Sequence, residues 1–114
     1  MSARAAAYQA QITGQSGEAY VVNGVKFDGY SAAEGLIDAK GPGYAWAVED
    51  GEFIAGYKGA DSLVMQARRQ LGAANGTPIT WHVAEPQTAT AIQNLFNSNN
   101  IRGISVVRTA PVGP

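Results

Sequence analysis

"VVNGVKFDGYSAAEGLIDAKG", residues 21–41, decides the fold. Apolar and polar residues alternate in two runs here, and alternation is the mark of a strand with one face toward a core. Asn23-Gly24 separates "EAYVV" from "VKFDGY". That dipeptide between strand-like runs signals a hairpin, because both central residues need positive φ. "SAAEG" makes the next turn, "LIDAK" is a third strand, and Gly41-Pro42-Gly43 stops it. The stretch reads as a three-strand meander. It also sets Asp28 and Asp38 in apolar surroundings, where a carboxylate is costly to bury.

On the N-terminal side, "ARAAAYQAQI" is rich in helix formers and is closed by Gly14. On the C-terminal side, 44–59 fits either a strand or one helical turn at "YAWAV", broken at Asp50-Gly51. From Asp61 to Ala74 the spacing predicts a helix capped by Asp61 or Ser62, with Leu63, Val64, Ala67, Leu71 and Ala74 on one stripe. Asn75-Gly76 ends it. "PITWHVA" is a strand. Glu85-Pro86 opens another helix, with Ala89, Ile92, Leu95 and Phe96 on one face. "NSNN" is a loop, "IRGISVV" a last strand, and 110–114 a flexible tail. The order αβββαβαβ is an α/β fold of the α+β kind, a mixed sheet with helices packed on it.

The 114 residues make one domain, 1–114, with one core. There are no cysteines, which excludes disulfides and thiolate metal sites. No apolar run is long enough for a membrane span or a secretory h-region. A net charge of −1 announces no global nucleic-acid-binding field, so any such contact is local.

Along the third strand Leu36, Asp38 and Lys40 share a face; in the second, Lys26, Asp28 and Tyr30 do. Antiparallel pairing across the turn near Ala33 brings Asp28 opposite or diagonal to Asp38. Two carboxylates that close repel unless a positive group lies between them. Lys40 is one candidate and a divalent cation another, since Mg²⁺ takes carboxylate and carbonyl oxygens and bridges to phosphate. A cation at Asp28 and Asp38 polarises a phosphodiester, with Lys40 placed to hold or help deprotonate the attacking water. The competing reading is a cross-strand salt bridge on a solvated face.

Other residues have similar pairs of readings. Gln66 and Gln70, one turn apart on a border of the helical stripe, either touch the substrate backbone or the lysine, or are solvated helix formers. Arg68 and Arg69 point away from that border and meet phosphates or plain solvent. His82 faces opposite Ile79, Trp81 and Val83, as a proton shuttle, a substrate contact or a satisfied structural histidine. Trp46, Trp81 and Tyr44 stack on bases or fill the core. Of the extra acids Glu18, Glu34, Glu49 and Glu52, Glu34 beside the site is the best further metal ligand.

The meander with D…D-x-K, then helix and strand, resembles the core of PD-(D/E)xK, restriction-endonuclease-like nucleases. "VNGVKFDGY", "LIDAKGPGYAW", "ADSLVMQARRQLGAANGTPITWHVAEP" and "IRGISVV" together resemble the restriction endonuclease fold toxin 5 family over roughly 8–109. The resemblance implies a metal-dependent DNase using Mg²⁺ or Mn²⁺. Asp28 and Asp38 are then metal-binding acids, the Ala39 backbone carbonyl a further ligand, and Lys40 the catalytic lysine. Gln66, and Gln70 beside it, occupy the place of the glutamine motif. Relatives carry a glutamate on the first helix where this chain offers only Gln9 and Gln11, which leaves one ion or two open.

The family's context implies a toxin domain at the C-terminus of a larger secreted effector, delivered by type VI or contact-dependent systems. Such a domain acts on DNA in the cytoplasm of a rival bacterium, is neutralised by a cognate immunity protein, and has no membrane partner. Met1-Ser2 is then expected to be a cloning boundary. The alternatives are an RNase or junction nuclease of the same fold, and a nuclease-like module that binds protein without cleaving.

Overall fold

A computed structural model describes residues 2–15, 17 and 19–113. The acid Glu18 lies outside the described residues. Helix α1, Ala3–Thr13, is capped by the Ser2 side chain and stopped by Gly14 at φ 85°. Strands β1, Tyr20–Val22, and β2, Val25–Phe27, form the hairpin expected at Asn23-Gly24, whose φ values are 49° and 80°.

The expected second strand does not run on unbroken. It bends at Asp28 and resumes as β3, Gly29–Ser31, which pairs antiparallel with β4, Gly35–Lys40. The β1–β2 hairpin therefore stands apart, and the meander contributes only β3 and β4 to the main sheet. The bend has an identifiable cause. The Asp28 N–H still reaches the Ile37 carbonyl at 2.8 Å, but the Asp28 carboxylate turns in to accept the Ala39 N–H at 2.7 Å. A side chain thus replaces the strand partner that Ala39 would otherwise have.

After β4 a 3-10 turn, Ala45–Ala47, leads into a small hairpin of β5, Val48–Glu49, and β6, Glu52–Phe53, turned at Asp50-Gly51. Helix α2 spans Lys58–Ala74, one turn earlier than Asp61 or Ser62 would start it, with Tyr57 at its N-cap and no side-chain cap bond. It ends at Asn75 and Gly76, both at positive φ. Strand β7, Ile79–Val83, helix α3, Pro86–Ser98, and strand β8, Ile104–Arg108, complete the chain. The order in the sheet is β3-β4-β7-β8, with β7 parallel to both neighbours. This is the mixed sheet the sequence predicts.

Gly35 decides how closely β4 approaches β7. It has φ 77°, and a Cβ there would lie 2.1 Å from the Pro78 carbonyl oxygen. Leu36 N–H donates to that same carbonyl at 2.8 Å, so the parallel pairing begins where only glycine fits.

Helices α2 and α3 bury Leu63, Val64, Ala67, Ile92 and Phe96 against Phe27, Leu36, Ile79 and Trp81 on one face. Helix α1 lies against β4 from the other side, with Tyr8 buried and its hydroxyl donating to the Thr109 carbonyl at 2.7 Å. Both sheet faces are covered, so any acid on β4 is buried by construction. Two residues of the segment expected as a flexible tail, Ala110 and Val112, bond to α1. The Gln11 amide donates to the Ala110 carbonyl and accepts from the Val112 N–H, each at 2.9 Å.

Candidate active site

Asp38 and Lys40 are 4% and 8% exposed, which rules out the solvated salt bridge. They alternate with Ala39 along β4, so both face α2. The Lys40 ammonium contacts Asp38 Oδ2 at 2.8 Å and donates to Gln66 Oε1 at 2.6 Å. Gln66 Nε2 returns to Asp38 Oδ1 at 3.3 Å, closing a ring of three side chains. Gln70 Nε2 donates to the same Oδ1 at 3.1 Å, and its own Oε1 accepts the Trp81 indole N–H at 2.8 Å. The ammonium also sits 4.6 Å from the centroid of the Trp81 ring.

Asp28 enters this centre from the bend. Its bond to the Ala39 N–H sets it beside the residue that separates Asp38 from Lys40. Leu36 N–H and the Lys40 carbonyl both bond toward β7, so by alternation the main-chain groups of Ala39 point to the opposite strand edge. The Ala39 carbonyl therefore lies on the same edge as the Asp28 carboxylate.

Burial pushes the Asp28 carboxyl above its ordinary range, and the Asp38 charge pushes it further. The Ala39 N–H and Lys40 pull back without cancelling this. For Lys40, burial acts to lower the pKa, but Asp38, Tyr44 and Asp28 together outweigh it and hold the ammonium above its ordinary value. The lysine is thus a proton-bearing donor at neutral pH. A buried ion pair is poor value as a stabilising device, because desolvating two charges offsets their attraction. Buried charges shifted by desolvation and by specific charged partners make this a candidate reactive site.

The donors fit a hard divalent cation. Asp38 Oδ2 is buried and has only the Lys40 ammonium, at 2.8 Å, against it, and burial and the Asp38 charge both disfavour the ionised Asp28 carboxylate. Two carboxylates and a carbonyl, completed by water, are what Mg²⁺ takes. Among the described residues no group of three or more His, Asp or Glu side chains gathers here.

Other expected site residues are placed elsewhere. Gln70 is fully buried with both amide ends engaged, so it positions Asp38 and cannot meet substrate. His82 pairs in register with Ala39, as Trp81 does with Asp38, so the histidine lies on the opposite face of the sheet. There its Nε2 meets Glu34 Oε1 at 2.7 Å and its Nδ1 meets Thr109 Oγ1 at 2.8 Å. The structure brings neither His82 nor Glu34 to the paired acids. Instead they join the turn before β4 to the end of β8.

The two arginines divide. Arg68 reaches the Asn99 carbonyl beyond α3 at 3.3 Å. Arg69, with Lys26, Gly24, Val25 and Gln66, lines a cleft of about 330 Å³ next to the centre. A larger cleft of about 470 Å³, between the β6–α2 loop and α3, contains none of the paired acids, Lys40 or Gln66. Sequence reasoning missed the support that Trp81 gives Gln70, because that contact needs the register of β7 on β4.

No curated protein and no solved structure matches the chain significantly. A family model, restriction endonuclease fold toxin 5, matches residues 5–86. The match holds α1, the Asp28 bend, β4 and the glutamine helix, and stops as α3 begins, short of the "IRGISVV" block. Among the described residues no helix is long and apolar enough to cross a membrane. With Asp38, Lys40 and Gln66 on one face of the sheet and Asp28 at the strand edge beside them, all inside the matched region, the chain belongs to the restriction endonuclease fold toxin 5 family.

Proposed function

We propose that this nuclease-toxin domain is a divalent-metal-dependent endonuclease that hydrolyses phosphodiester bonds of DNA. The observation that carries the reading is the buried ring of Asp38, Lys40 and Gln66 with Asp28 at its edge. Asp28, Asp38 and the Ala39 carbonyl hold Mg²⁺ or Mn²⁺, which when bound supplies Lewis-acid polarisation of a phosphate oxygen.

The chain's own groups do the rest. Lys40, held protonated by its anionic neighbours, donates hydrogen bonds toward the attacking water and the charge developing on the phosphoryl oxygens. This orients the nucleophile. Gln66 fixes the lysine's direction by accepting from Nζ while donating to Asp38. Gln70 and Trp81 hold Asp38 from behind, so the acid keeps one orientation. Arg69 and Lys26, at the cleft beside Gln66, take the flanking phosphates.

The family membership supports a wider setting, a secreted effector acting in the cytoplasm of a competing bacterium and neutralised by a cognate immunity protein. The test of the enzyme is plasmid cleavage with Mg²⁺, with EDTA, and by Lys40→Ala. Cleavage in the first condition alone is expected, and equal cutting by the variant removes the assignment.

A further inference from the structure

Trp46 is the most exposed aromatic ring of the described chain, with 70% of its surface open to solvent. Tryptophan carries a large apolar surface and is ordinarily well buried, so an open indole calls for a partner. Its orientation is fixed. The indole N–H donates to the Gly43 carbonyl at 3.1 Å, and Tyr57 meets the ring edge-on with centroids 5.3 Å apart. Tyr57 in turn stacks on Phe53 at 5.5 Å.

The segment beneath the ring is braced. Glu85 accepts the Gly43 and Tyr44 N–H groups at 3.2 and 2.9 Å, and the Ile54 N–H closes onto the Ala47 carbonyl at 2.8 Å. An open aromatic ring on a braced segment is a preorganised surface.

Its position links it to the reactive centre. Trp46 lies six residues beyond Lys40, and its segment is tied beside that residue: the Ala84 N–H donates to the Lys40 carbonyl at 2.9 Å, while Glu85, next in the chain, accepts the Gly43 and Tyr44 N–H groups. The charge around it narrows what it binds. Glu49, Asp50 and Glu52 are exposed on the adjoining hairpin, so phosphates are not drawn along that side. Duplex affinity comes chiefly from neutralised phosphates. A chain of net charge −1 supplies no broad basic field for such contacts. Stacking on a base needs no charge and accepts any sequence.

We propose that Trp46, edge-braced by Tyr57, stacks one unpaired nucleobase beside the Lys40 centre, so that the preferred substrate is single-stranded or locally opened nucleic acid. This rests on the phosphodiesterase reading and names the substrate class for that same site. DNA and RNA offer the same ring face to the indole, and experiment separates them.

The test titrates the whole chain in EDTA, where nothing is cut, with a thymidine oligonucleotide, a uridine oligonucleotide and a duplex, following tryptophan fluorescence. Single strands are expected to quench Trp46 and to bind about tenfold or more tightly than the duplex. Trp46→Ala should lose about tenfold in single-strand affinity, as one stacked base would give. Trp46→Phe should retain most of it. The proposal is overturned if Trp46→Ala binds single strands like wild type, or if duplex binds as tightly as single strand. Parallel cleavage assays separate the two levels. If Trp46→Ala cuts single-stranded circles at the wild-type rate, stacking fails and the nuclease stands. If wild type neither binds nor cuts any nucleic acid, both fail.

Discussion

Gln70→Met is expected to weaken both the fold and the reactive centre, although Gln70 touches no substrate. Methionine fills nearly the same volume but neither accepts the Trp81 N–H nor donates to Asp38, bonds now 2.8 and 3.1 Å long. An orphaned buried indole N–H costs about 1–3 kcal/mol, and a lost bond to an ionised carboxylate about 1.5–3 kcal/mol. Apolar burial of the methionine returns about 1.5 kcal/mol or somewhat more. The net loss is about 2–4 kcal/mol, from a domain whose total stability is about 5–15 kcal/mol.

The separating experiment is a double-mutant cycle with Trp81→Phe, which removes the indole donor. Urea denaturation of all four proteins, followed by circular dichroism, gives the coupling. The double variant should lie about 1–2 kcal/mol above the sum of the singles, because no indole is left unpaired. With Asp38 less firmly held, half-saturation by Mg²⁺ should rise about 10- to 100-fold. Additive effects, together with a Gln70→Met cost below about 0.5 kcal/mol, would refute the Trp81–Gln70–Asp38 chain.

Asp28→Asn should cut no better than background yet unfold at higher urea at pH 7, by about 1 kcal/mol, an active-site trade of stability for function. The sign follows from its raised carboxyl: the protonated form favours the fold, and that contribution is present below 3.8 and lost as pH climbs through the folded value. His82→Phe should leave cleavage within about threefold of wild type, since the ring faces away from Asp38; a larger loss in a folded variant contradicts the assignment of faces. Tyr8 is pushed up to about 12 by burial, so its contribution is intact below pH 10 and is lost as pH rises toward 12. That loss amounts to about 2–3 kcal/mol. Comparison of alkaline denaturation in wild type and Tyr8→Phe reads it, and identical pH profiles count against it.

Much of this was legible because its causes are local. Asn23-Gly24 and Asn75-Gly76 each need positive φ and each has it. The alternation of "LIDAK" put Asp38 and Lys40 on one face before any contact was known, and the two α2 glutamines did turn toward that face. Long-range causes were hidden. The bend at Asp28 arises because its carboxylate bonds Ala39, eleven residues on, and alternation alone treats 25–30 as one strand. The face taken by His82 depends on the register of β7 against β4, which no residue near the histidine reveals. Helix α2 starts early because the chain reaches it through Tyr57, which packs on Phe53 and Trp46 and caps without a side-chain bond. The separation of Arg68 from Arg69 follows from α3 flanking only one of them.

The most direct test of the central claim is supercoiled plasmid incubated with wild type and with Lys40→Ala, each with Mg²⁺ and with EDTA, after both proteins show the same folded spectrum. Nicking or degradation by wild type in Mg²⁺, abolished by EDTA and reduced about 100-fold or more by Lys40→Ala, is the predicted result. Cleavage that survives chelation, or that proceeds undiminished without the Lys40 ammonium, would contradict a metal-dependent centre built on Asp28, Asp38 and Lys40.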